Sequence, residues 1–120
     1  MISNIDARVS LKISEAIKPL LQFCSLLEYY PTAYNSDVEC RSSAYVRQQV
    51  AWRDAGLGLM VNSLPLEFIG LDEPTMIMAV GLHEKVNSTS VNAWGALGRT
   101  MRAVNGRVLL PAGSVAIRIG

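Results

Sequence analysis

The chain has 120 residues, half of them apolar, with 11 basic and 10 acidic side chains, a single histidine and a net charge of +1. This length and apolar content suit one compact domain over residues 1–120, and the near-neutral balance argues against a nucleic-acid binder held mainly by bulk charge. No apolar run approaches the roughly 20 residues that cross a bilayer, and the opening MISNIDARVS lacks the basic-then-apolar order of an export signal, so a cytoplasmic protein without a membrane partner is expected.

Taken in chain order, Ile5, Ala7, Val9, Leu11 and Ile13 alternate with polar residues and predict a first strand over 5–13. A helical spacing competes there, since Val9, Ile13, Ile17, Leu20, Cys24 and Leu27 recur every three or four residues. Ser14 followed by Glu15 marks a helix start, carried to about Tyr30 and stopped by Pro31. PTAYNSDVECRS, residues 31–42, reads as a surface loop, and Ser43 then caps a helix from Ala44 to Ala55, closed by Gly56. Leu57, Leu59 and Val61 alternate, Pro65 interrupts, and Leu66 and Phe68 resume, giving two short strands or one bent edge strand. After the turn GLDEP, TMIMAVGL from Thr75 is apolar enough for a central strand, and HEKVNSTSV leaves the sheet.

Asn92 caps a further predicted helix whose Trp94, Leu97, Met101 and Val104 share one face, with Asn105 and Gly106 as its stop. Val108–Leu110 and Val115–Ile119 flank PAGS as a hairpin. The expected fold class is α+β, two or three helices packed on a mostly antiparallel sheet of four to six short strands.

Charge is segregated along the chain. Residues 1–84 hold all ten acids and six basic residues, whereas 85–120 hold Lys85, Arg99, Arg102, Arg107 and Arg118 and no acid. On the predicted helix, Gly95, Arg99 and Arg102 oppose the apolar stripe, with Gly98 at its boundary. Two helical glycines cost roughly 1 kcal/mol each relative to alanine, which close packing of a neighbouring element, room for an anion, or a non-helical loop would explain. Arg99, Arg102 and Arg107 are thus anion-binding candidates with Gly95 and Gly98, although neither GxxxxGK[ST] nor GxGxxG is present. Trp94 is a stacking residue for nucleic acid only if it leaves the apolar stripe.

Tyr29, Tyr30 and Tyr34 lie in a stretch free of basic residues and are the interface candidates. His83 beside Glu84 is the acid–base candidate, opposed by the tendency of adjacent strand residues to face opposite ways. Cys40 between Glu39 and Arg41 lacks a local base, and Cys24 on its apolar stripe reads as a small hydrophobe. Glu67, Asp72 and Glu73 read as a solvated turn without calcium-loop spacing, and two cysteines with one histidine do not make a zinc set, so no metal or cofactor is expected.

The function these features predict is a non-catalytic, self-associating binding or structural protein. It would be a homo-oligomer or bind a protein partner, with its C-terminal basic face available to an anionic ligand. The alternatives are a small enzyme with an inter-subunit anionic-substrate site using His83 and the arginines, and a nucleic-acid accessory module.

Overall fold

The computed structural model describes residues 7–33, 37–56, 58–73 and 75–118. It opens with helix α1, Ala7–Ile17, and a 3-10 turn, Lys18–Leu21. Nine strands follow among the described residues: β1 (Phe23–Leu27), β2 (Gln48–Gln49), β3 (Trp52–Asp54), β4 (Leu59–Asn62), β5 (Leu66–Phe68), β6 (Met76–His83), β7 (Ala93–Arg102), β8 (Val108–Leu110) and β9 (Ala116–Arg118). The protein is therefore mostly β, with one α-helix among the described residues, and not two or three helices on a sheet.

The departures from the expected helices run along the chain. At the start, the three-to-four spacing through Val9, Ile13 and Ile17 prevails over the alternation, so the described part of 5–13 is helix; Ile5 and Asp6 lie outside the described residues. Beyond the 3-10 turn, Phe23–Leu27 is a strand whose last four residues are all buried, Ser25 included, so both faces are covered and no polar–apolar alternation marks it. The region predicted as helix 44–55 instead supplies β2 and β3, two short edge strands. The predicted helix from Asn92 is β7, paired antiparallel with β6.

Asn105 and Gly106 are not a helix stop. Both have positive φ, 54° and 71°, and the backbones of Val104 and Arg107 exchange hydrogen bonds of 3.0 and 3.1 Å across them. This is the two-residue turn that Asn-Gly favours in hairpins, because both central residues must be left-handed. The last two strands do not pair with one another either: β8 pairs with β5, and β9 with β4.

The described strands form three sheets, with strand orders β2-β1-β6-β7, β3-β4-β9 and β5-β8. One core joins them, with Cys24, Leu26 and Leu82 from the first sheet, Met60 from the second, and Phe68 and Leu110 from the third. The fully buried Asn62 ties the smaller sheets together. Its Nδ2 donates to the carbonyls of Leu64 and Pro111 at 2.8 and 3.0 Å, and its Oδ1 accepts from the Val115 N–H at 2.9 Å. A buried amide is tolerable only when it is satisfied in this way. Among the described residues no buried side-chain nitrogen or oxygen lacks a partner, and no helix is long and apolar enough to cross a membrane.

Candidate functional site: a buried polar cluster and an open sheet edge

β1 and β6 run antiparallel with Phe23 opposite His83 and Ser25 opposite Gly81, so Ser25, Gly81 and His83 share one face. The chain after β6 folds back over that face. His83 is fully buried; its Nε2 lies 2.6 Å from Ser25 Oγ and its Nδ1 2.9 Å from the Ser90 carbonyl. A carbonyl only accepts, so in the neutral ring Nδ1 carries the proton and Nε2 accepts from the Ser25 hydroxyl. Gly81 makes this possible: a Cβ there would stand 2.6 Å from Ser25 Oγ and 3.3 Å from both His83 Nε2 and Val91 Cγ1.

Beside it lies a second polar group. The Arg47 guanidinium grips Glu39 with two bonds, Nε to Oε2 at 2.9 Å and Nη2 to Oε1 at 2.7 Å, and its Nη1 donates to the Lys85 carbonyl at 3.1 Å. The Tyr45 hydroxyl donates to Glu39 and accepts the Leu26 N–H of β1 at 3.1 Å. Residues 38–40, predicted as surface loop, instead run beside β1: Glu28 N–H donates to the Val38 carbonyl and Cys40 N–H to the Leu26 carbonyl, both at 2.9 Å. Sequence reasoning missed Ser25, Ser90, Tyr45 and the Glu39–Arg47 pair, because no local spacing brings them together.

The electrostatics follow from burial and pairing. Desolvation holds His83 below its usual 6.5, with the Arg47 charge adding to the shift against the Ser90 bond and Glu39. Burial alone would raise Glu39, but the hydrogen bonds from Arg47 and Tyr45 and the Arg47 charge outweigh it and lower the carboxyl below 4.5. Arg47 moves up, burial being outweighed by Glu39, and Tyr45 moves up through burial and Glu39 together. The Cys24 thiol is pushed up to about 12, by burial first and the Glu39 charge second, which removes it as a nucleophile near neutrality. Cys24 and Cys40 are both buried free thiols.

Because the His83 site stays neutral in the folded protein while an unfolded histidine protonates near 6.5, its contribution is present above that pH and is lost as pH falls toward the folded pKa. Urea midpoints for the wild type are expected to fall between pH 6.5 and 5, and those of His83→Gln to fall less. Equal slopes for the two would refute the assignment.

Ser25 and His83 have the pairing of an activated serine. Both are fully buried, however, so no acyl or phosphoryl group reaches Oγ without opening the β1–β6 seam. Glu84 is exposed just beyond β6, and the arginine that acts on His83 electrostatically is Arg47. A shallow depression of about 500 Å³ opens over the second group, lined by Arg41, Tyr45, Arg47, Ser88 and Thr89. Its Arg47 is already engaged by Glu39 and the Lys85 carbonyl.

The other C-terminal candidates lie on β7, the edge strand of the first sheet. Ala93–Ala96 pair regularly with β6, but Ile77 faces Met101 while Ala79 faces Ala96, so Leu97, Gly98, Arg99 and Thr100 stand against Met78 alone. Arg99 is thus on a wide bulge, exposed, and among the described residues neither it nor Arg102 has an ion-pair partner. Cβ atoms at Gly95 or Gly98 would meet nothing within 4 Å. Among the described residues no element packs on them, so close packing by a described neighbour does not explain these glycines.

Trp94 is not core. It is 36% exposed, and its ring lies 5.9 Å from that of the exposed Tyr30. Tyr30, one of the three candidate interface tyrosines, therefore meets the basic strand; Tyr29 is exposed beside it, and Tyr34 lies outside the described residues. Arg107 bonds Glu67 at 2.8 Å, and Glu73 accepts from the Gly106 N–H at 3.3 Å, so the linear charge segregation is partly undone by the β5–β8 pairing. Beneath β7 runs an apolar groove of about 340 Å³, lined by Val80, Leu82, Leu97, Leu110, Val115 and Ile117 among others. Among the described residues no three possible metal ligands converge.

A mostly β protein with a locked polar interior and one long open sheet edge is the class these features define. The sequence matches no known protein-family model, and no characterised protein is significantly similar to it.

Proposed function

We propose that the protein is a non-catalytic, self-associating binding or structural protein that works through the open edge of β7. The observation that carries this reading is the edge itself. Ala93–Ala96 form a regular ladder with β6 on one side and have no strand partner among the described residues on the other. A row of unpaired backbone donors and acceptors is a template for another strand. Next to it stand the half-exposed Trp94, the exposed Tyr30 and an apolar groove, the kind of surface that association covers. Arg99 and Arg102 sit at the far end of the strand, where they are available to an anionic partner.

The polar cluster supports the same reading, because its hydrogen-bonding groups are spent on one another and on backbone. Sedimentation of the wild-type protein is expected to show a concentration-dependent dimer or larger species. A monomer alone across the micromolar to submillimolar range would sink the proposal.

A further inference from the structure

We infer, building on the self-association proposed above, that two copies join by antiparallel pairing of β7 with β7 about a twofold axis at Gly95. The result is one continuous sheet with four strands from each copy. Strand length selects the partner. Among the described strands, the other sheet edges offer two residues in β2 and three in each of β3, β5, β8 and β9. Only a second β7 matches the regular ladder of Ala93–Ala96 along its whole length.

The bulge selects the register. Leu97–Thr100 leave the ladder with β6, and a bulge carrying an arginine is how an edge is blunted against pairing, so the partner reaches no further than Leu97, where the bulge begins. With the axis at Gly95, Arg99 of one copy lies opposite Val91 of the other. The two Arg99 side chains then stand on the order of 25 Å apart, well beyond a Debye length of about 8 Å. An axis at Gly98 would set them two residues apart, with like charges in direct repulsion.

Side-chain sizes agree with the Gly95 axis. Trp94 falls opposite the partner's Ala96 twice over, large against small, on the face that also holds Tyr30. On the other face the half-buried Ala93 meets the partner's Leu97, on the side where the apolar groove runs past Leu82. Gly95 meets Gly95 at the axis with no Cβ between the backbones.

Gly95→Cys tests the register. Residues directly opposite in an antiparallel pair have Cα atoms about 4.5–5.5 Å apart, within disulfide reach, and the native cysteines are buried. Mild oxidation is expected to convert most of Gly95→Cys to a covalent dimer and to leave Thr100→Cys monomeric on a denaturing gel. Wild-type hydrogen exchange gives an independent reading: amide protection over 93–97 is expected to rise with protein concentration while that over 98–100 does not. An oligomer in sedimentation with no Gly95→Cys cross-link and no such protection would overturn the register and leave self-association standing. A monomer in sedimentation would overturn both, and cross-linking through Thr100→Cys alone would move the axis into the bulge and refute the inference.

Discussion

Arg47→Ala is expected to lower the unfolding free energy by about 3–5 kcal/mol at neutral pH, the usual cost of stranding one member of a buried ion pair. The side chains of Arg47 and Glu39 are only 7% and 14% exposed, so water cannot replace the guanidinium. Three bonds are lost at once: the two to Glu39 and the one to the Lys85 carbonyl. Tyr45 alone would then face the carboxylate. Arg47→Lys restores the charge without the planar fork and is expected to fall between wild type and Arg47→Ala.

The effect carries its own pH signature. Glu39 is held below 4.5 in the folded protein, so its stabilisation is present above 4.5 and is lost as pH falls through the folded value. Arg47→Ala removes that pairing, and its penalty is expected to shrink in acid. Urea denaturation at pH 7.5 and pH 4 checks both statements. A loss under 1 kcal/mol at pH 7.5 would show that Glu39 finds water and that the pair is ornamental to stability.

Gly81→Ala is expected to cost about 2–4 kcal/mol, combining overpacking with a broken buried hydrogen bond. The added carbon would sit 2.6 Å from Ser25 Oγ, and the hydroxyl cannot swing away without leaving His83 Nε2. The same substitution at Gly95, on the neighbouring strand, meets empty space and is expected to be neutral or to stabilise the protomer by up to about 1 kcal/mol. Opposite signs at two glycines of one sheet, measured by denaturant midpoint, would confirm the packing argument. A loss at Gly95 equal to that at Gly81 would instead point to backbone conformation rather than space.

β6 was legible in the sequence because a compact apolar run bounded by turn residues describes a central strand whatever surrounds it. β1 was not, since burial of both its faces erases alternation, and its apolar residues also fit a helical stripe. β7 misled for the opposite reason. Its exposed, bulged course lacks period-two alternation, and its less exposed residues Ala93, Leu97 and Met101 recur every four, so the spacing of Trp94, Leu97 and Met101 imitated a helix. The Asn105-Gly106 pair held the better signal, as an Asn-Gly turn between two strands.

The polar cluster was legible only as isolated residues. His83 drew attention as the single histidine, yet its partner Ser25 lies 58 positions away, and no sequence rule joins Glu39 to Arg47 before the chain around β1 is folded. What could be read locally was the basic, glycine-bearing character of residues 92–107. Its meaning changed from the polar side of a helix to the free margin of a sheet.

From the strand order β2-β1-β6-β7, an order of events in folding is expected. β6 and β7 are consecutive and can zip locally, whereas β1 reaches β6 only after a loop spanning more than fifty residues has closed, as the separation of Ser25 from His83 records. Distant pairing of this kind slows two-state folding to milliseconds or longer, because loop entropy is lost before the contacts that offset it are made. Until β1 docks, the β6–β7 hairpin has two bare margins instead of one. The Ser25–His83 bond lies across the margin that β1 closes, and the outer margin of the hairpin is the one left bare, along β7.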